Sequence, residues 1–96
     1  MERTHGVLRI EREDRAPGCT VLRLAGRLRN AELETLRGSV GTVLDGERHV
    51  EIDLSDLGSV NEEGASLLCA LRARGVKLTR ASSYVSELLR SVEKEP

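Results

Sequence analysis

Apolar residues in this chain switch repeatedly between a spacing of two and a spacing of three to four. That switching constrains the fold more than any single motif does. In "HVEIDLS" (49–55) Val50, Ile52 and Leu54 alternate with Glu51 and Asp53, the pattern of a strand with one buried face. Shortly after it, "EEGASLLCALRARG" (62–75) sets Leu67, Leu68 and Leu71 at helical spacing, and Gly75 ends the run. A strand that hands over so quickly to a helix is half of a crossover unit.

The rest of the chain repeats the alternation. "VLRIERE" (7–13) reads as a half-buried strand, with Leu8 and Ile10 on one face and Arg9 and Glu11 on the other. "DRAPG" (14–18) reads as a turn, and "CTVLRLAG" (19–26) as a second strand carrying Leu22 and Leu24, so the pair predicts an antiparallel hairpin. Residues 30–46 place Leu33, Leu36, Val40, Val43 and Leu44 on one helical face, with Asn30 as N-cap, Glu32 in the first turn and Gly46 as the stop. Gly38 and Gly41 inside that helix each cost about 1 kcal/mol relative to Ala. Either the helix is locally weak or another element passes close by. "VKLTR" (76–80) predicts a short strand, and 82–92 a last helix with Val85, Leu88, Leu89 and Val92, before a frayed "EKEP" tail.

The order ββαβαβα predicts one α/β domain spanning 1–96, ordered over about 6–92. The expected architecture is a mixed four-stranded sheet: an N-terminal hairpin, then β-α-β-α-β-α. Because the strands alternate rather than run continuously apolar, the helices are expected mainly on one face. Arg9, Arg23, Glu51 and Asp53 are then expected to meet solvent or a partner on the other. There is one Tyr and no Phe or Trp, so the core must be aliphatic and the stacking platforms of single-strand binders are missing. Charged residues make up 32% of the chain, interspersed, with a net charge of −1. That excludes a nucleic-acid or membrane patch. No apolar run approaches membrane-spanning length and no secretory h-region opens the chain, which places it in the cytoplasm.

Catalytic and metal chemistry find little to stand on. Cys19 and Cys69 read as separate reduced thiols, with no C-x-x-C and no zinc spacing. His5 and His49 have no nucleophile or acid at a recognisable spacing. Glu62 and Glu63 are adjacent, so their side chains diverge on a helix and do not form an acid–base pair. A calcium loop needs more ligands, and "RGSVG" lacks the context and Lys of a phosphate loop. No enzyme activity, metal or cofactor is expected. The loop "SVNEEGASLL" (59–68) is the remaining candidate. Asn61 as N-cap with Glu62 and Glu63 in the first turn supplies about 1–2 kcal/mol of helix stabilisation. A loop at that position of an α/β fold is also where binding sites commonly sit. Ser59, Ser66, Ser82 and Ser83 are possible phosphoacceptors, but Ser82 or Ser83 reads first as the cap of the last helix and Ser59 as a turn residue.

Three segments together resemble the STAS domain, the fold of bacterial anti-sigma-factor antagonists, of sulfate-transporter tails and of a small subunit in lipid-transport ABC systems. "VLRLAGRL" (21–28) is similar to the family's strand with G-E-L-D. "VEIDLSDLGSVNEEG" (50–64) is similar to its strand and D-S-S-G or D-T-S-G loop, and "GVKLTRASSYVSELL" (75–89) to its closing strand and helix. The resemblance implies a non-enzymatic regulatory module whose loop Ser or Thr is phosphorylated by a histidine-kinase-like ATPase that is also an anti-sigma factor. Unphosphorylated, such an antagonist binds that kinase; phosphorylation breaks the complex.

Carried onto this chain, Asn61 stands at the family's Asp, Glu62 at the phosphoacceptor, Glu63 at the next hydroxyl residue and Gly64 at the glycine. Gly26 matches the glycine of G-E-L-D, while Arg27 and Arg29 replace its two acids. Glu62 lacks the hydroxyl and carries one negative charge, against about −1.5 to −2 for a phosphoserine. The resemblance thus implies a partner-binding surface of Gly26, Arg27, Arg29, Asn61, Glu62, Glu63 and Gly64 with no acceptor at the usual position. The basic turn and the acidic loop are expected to pair. An accessory subunit that binds the ATPase of an ABC lipid or organic-ion transporter is the alternative reading. The exposed sheet face and short strands also allow a homodimer.

Overall fold

The expected elements occur in the expected order in the computed structural model, which describes residues 8–46 and 49–93. They are β1 (Leu8–Ala16), β2 (Cys19–Leu28), a short 3-10 turn (Asn30–Glu32), α1 (Leu33–Gly46), β3 (His49–Val60), α2 (Glu62–Ala73), β4 (Lys77–Thr79) and α3 (Ser83–Glu93). His5, Val7 and the last three residues of the tail lie outside the described residues. The strands line up as β1-β2-β3-β4, with β1 antiparallel to β2 and the other neighbours parallel. One aliphatic core joins the inward faces of the strands (Leu22, Leu24, Ile52, Leu54) to all three helices (Leu36, Val40, Leu68, Leu71, Val85, Leu89). Among the described residues no helix is long and apolar enough to cross a membrane.

The hairpin is longer than its alternation suggests. Asp14–Ala16 continue β1 and only Pro17 and Gly18 turn, with a bulge between Asp14 and Ala16. Arg12 Nε and the hydroxyl of the fully buried Thr20 both donate to Asp14 Oδ1, at 3.0 and 2.9 Å. These two bonds hold its carboxyl below the usual range.

β3 is also longer than expected. "DLGSV", beyond the predicted strand, continues it to Val60, and Ser59, read as a turn residue, pairs with Arg27 inside it. Its buried apolar residues run Val50, Ile52, Leu54, then Leu57, then Val60. The two steps of three coincide with two register shifts against β2. Each is a bulge, which inserts a residue and keeps the next apolar side chain inward.

The outer sheet face is an ion-pair lattice. Arg23 lies 3.8 Å from both Glu11 and Glu13 and 3.6 Å from Asp53, while the Thr79 hydroxyl donates to Glu51 at 2.9 Å. Asp53 departs from the expectation that it meets solvent: it is only 1% exposed. Burial works against its charge. The Ser55 backbone N–H, which donates to Asp53 Oδ1 at 2.9 Å, the Ser55 hydroxyl, and the guanidinium groups of Arg80 and Arg23 outweigh it and leave the carboxyl below its ordinary value.

Helix ends follow local chemistry, with one correction. The Arg29 N–H donates to the Glu32 carboxylate at 3.0 Å, so Arg29 and not Asn30 holds the cap position before α1. A Cβ at Gly38 or Gly41 meets nothing within 4 Å. No element passes close there, and α1 is locally weak. α2 ends in a Schellman motif: the N–H groups of Gly75 and Val76 donate to Arg72 and Leu71 carbonyls at 3.0 and 3.1 Å, with Gly75 at φ 101°. Ser82 caps α3, its hydroxyl accepting from the Val85 N–H at 3.2 Å.

Candidate functional site

Parallel pairing brings the ends of β2 and β3 side by side, with Leu28 opposite Val60. The chain leaves both strands at the same edge of the domain, and the two turns that follow meet there. Asn61 is the residue that joins them. Its backbone N–H donates to the Leu28 carbonyl at 3.2 Å, and its carbonyl accepts from Ala65 at 2.9 Å. Its side-chain oxygen accepts from the Gly64 N–H at 2.8 Å, which makes it the N-cap of α2 as the sequence predicts. Its side-chain nitrogen donates to the Asn30 side-chain oxygen at 2.8 Å.

Gly64 is a glycine because the strand end lies against it. A Cβ there sits 2.7 Å from the Leu28 carbonyl oxygen and 2.7 Å from a Val60 methyl. The first turn of α2 thus rests on backbone, and any side chain at 64 lifts it. Glu62 and Glu63 stand exposed on that turn, at the positive end of the helix. Gly26, Arg27 and Arg29 are exposed on the β2 side, Gly26 next to Gly58 across the second bulge. The turns are close, yet no ion pair joins Arg27 or Arg29 to Glu62 or Glu63 among the described residues. The expected charge pairing is replaced by an amide–amide bridge, and all four charges are left to solvent or a partner.

Two neighbours of the loop carried no sequence signal. Tyr84, the single aromatic residue, is 58% exposed, and its hydroxyl donates to the Val60 carbonyl at 3.3 Å. This sets a large side chain beside Asn61. Its position follows only from how α3 packs, which periodicity does not give. On the other flank α2 packs closely along α3 and only loosely along α1. The seam between α1 and α2 is floored by Leu33, Leu67 and Leu71 and rimmed by Arg37, Glu63 and Arg74.

The hydroxyls do not cluster into a reactive site. Ser59 is held in β3, Ser82 caps α3, and Ser66 is exposed on α2 beside the seam. Cys69 is half-buried with Sγ 3.6 Å from the Leu89 carbonyl; burial pushes its thiol up, and the opposing Arg72 does not reverse this. Among the described residues no three His, Cys, Asp or Glu side chains gather in a way that suits a metal ion. The arrangement presents charge and shape at one end of the sheet, beyond its two central strands.

Comparison with known proteins finds matches to one family and to solved structures. The family described as "Mlab, STAS domain" matches residues 11–93. The solved structure of the anti-sigma factor antagonist SpoIIAA in its unphosphorylated form superposes with a TM-score of 0.70 at 18% identity, over 88% of this chain and 80% of that one. No curated protein matches the sequence.

Proposed function

The chain belongs to the STAS domain family, and on that premise we propose that it is a non-enzymatic regulatory module. It binds a protein partner through the edge built by the Asn61–Asn30 bridge. The observation that carries this reading is the pair of exposed, unpaired carboxylates, Glu62 and Glu63, on a turn of α2 fixed by Asn61 and Gly64. An anti-sigma-factor antagonist of this family presents a phosphorylatable hydroxyl at that place. This chain presents a fixed negative charge, and no transfer of a phosphoryl group to Glu62 makes a stable switch. The contact surface is Asn61, Glu62, Glu63, Gly64 and the end of β2 with the residue after it, Gly26 to Arg29. The partner class is a histidine-kinase-like ATPase acting as an anti-sigma factor, and the setting is cytoplasmic transcriptional signalling.

The test is affinity capture from native lysate with wild type and a Glu62→Ser, Glu63→Ser variant. Recovery of a histidine-kinase-like ATPase, with a yield that changes in the variant, supports the reading and makes the acidic turn the contact. Recovery of an ABC ATPase instead assigns the chain to a transport assembly and reduces the acidic turn to a helix cap. Tight capture of the kinase by wild type with no effect of the variant overturns a role for the two carboxylates.

A further inference from the structure

Tyr84 is the large hydrophobic side chain that the fold leaves exposed, yet its ring is held in place. Ser82 caps the turn it stands on, and the fully buried Val85 beside it anchors that turn to the core. Its own hydroxyl donates to the Val60 carbonyl at 3.3 Å. A fixed aromatic face open to solvent is the kind of side chain that dominates protein contacts, because little rotamer freedom is lost when it is covered.

The sides of α2 decide which charge stands near that ring. The Cys69 thiol donates to the Leu89 carbonyl at 3.6 Å and Arg72 pairs with Glu93, so residues 69 and 72 mark the side of α2 that looks at α3. At about 100° per residue, Glu62 lies within about 20° of Cys69 around the helix axis. Glu63 is turned about 100° from Glu62, onto the line of Ala70 and Arg74 in the seam with α1. The two carboxylates therefore serve different sides. Glu63 shares the seam with the guanidinium groups of Arg37 and Arg74. Glu62 shares its side with Tyr84, and no ion pair reaches it among the described residues. Arg27 and Arg29 come from β2, which flanks β3 on the side away from β4 and α3.

We infer that Tyr84 and Glu62 form the docking point for an arginine of the protein partner, its guanidinium lying on the Tyr84 ring while it donates to the Glu62 carboxylate. The inference rests on the reading that this end of the sheet binds a protein. A guanidinium makes both contacts at once: its plane stacks on an aromatic face and its edge forks onto a carboxylate, where an ammonium offers only a point charge. An anionic group is repelled by Glu62, and an apolar one buries that carboxylate without a partner. Arg27 and Arg29 repel a cation from the β2 side, so the charge pattern also fixes which way round the partner sits. Glu63 belongs to the wider contact surface but not to this point.

The experiment is a nuclear magnetic resonance titration of the full chain with acetyl-Ala-Arg-Ala-amide and with its lysine counterpart, at matched ionic strength. The chain holds one Tyr, so the tyrosine ring resonances report this point alone. The arginine peptide is expected to shift them with a dissociation constant of about 1–10 mM, and the lysine peptide to bind about threefold more weakly. Glu62→Gln is expected to weaken the arginine peptide about threefold more than Glu63→Gln does. Tyr84→Leu, followed through the backbone amides of 61–64, is expected to abolish the preference for arginine over lysine, and Tyr84→Phe to keep it. Circular dichroism of each variant separates a lost contact from a lost fold. A ring unmoved at about 20 mM peptide overturns the inference. So does equal binding of the two peptides, or an equal effect of Glu62→Gln and Glu63→Gln. An ATPase captured from lysate as tightly by Tyr84→Leu as by wild type overturns the docking point and leaves the partner reading standing. A ring that selects arginine in a chain that captures no ATPase supports the docking point and removes the ATPase as the partner.

Discussion

The side chain of Asn61 donates to that of Asn30 at 2.8 Å, a bond between residues 31 positions apart that locks two neighbouring turns together. The same side chain caps α2 through its oxygen, so one residue holds both a helix end and a long-range contact.

The two roles separate by substitution. Asn61→Ala loses both and is expected to cost about 1–2 kcal/mol in urea unfolding. Asn61→Asp keeps the capping oxygen and loses the donor, so it is expected to cost less than about 1 kcal/mol. Adding Asn30→Ala to Asn61→Asp then costs nothing further from this bond, whereas Asn30→Ala in wild type does. Additive losses throughout refute the bridge.

Glycines in this chain respond to Ala in opposite directions. Gly64→Ala drives a methyl into the Leu28 carbonyl and is expected to destabilise by about 1–3 kcal/mol. Gly38→Ala and Gly41→Ala enter open space in α1 and are each expected to stabilise by about 0.5–1 kcal/mol. Shifts in urea midpoint at constant slope report all three.

Stability in acid depends on Asp53. Its folded value lies below the ordinary carboxylate value, so its contribution is present above about pH 4 and is lost as the pH falls through the folded value. Asp14 contributes with the same sign. Asp53→Asn is expected to cost about 1–3 kcal/mol at neutral pH, with the difference from wild type shrinking below about pH 4. A difference that stays constant down to pH 2 excludes this linkage.

Much of this architecture is legible in periodicity. The element order, the Leu stripes of α1 and α2 and the Asn61 cap need only local rules, and local rules held there. What failed was set by contacts the sequence does not display. Asn30 loses the cap because the Arg29 backbone reaches Glu32 first. Asp53 looks like a solvent-facing acid because its charged neighbours come from β2 and from the residue after β4. Glu62, Glu63, Arg27 and Arg29 invite pairing on the page, yet the turn geometry joins their neighbours instead. The end of β3 was unreadable as strand because its bulges break the period of two.

Those bulges also decide which changes in chain length the domain tolerates. Removing Gly58 leaves Leu57, Ser59 and Val60 in plain alternation, and Asn61 still arrives facing Asn30. Removing Glu51 turns every later residue of β3 to the wrong side. The Gly58 deletion is therefore expected to unfold cooperatively with a modest loss, and the Glu51 deletion to leave no folded protein by circular dichroism. β3 can thus shed a residue at Gly58 and still deliver the acidic turn to its place, so deletions at its bulges are open to drift where its plainly alternating stretch forbids them.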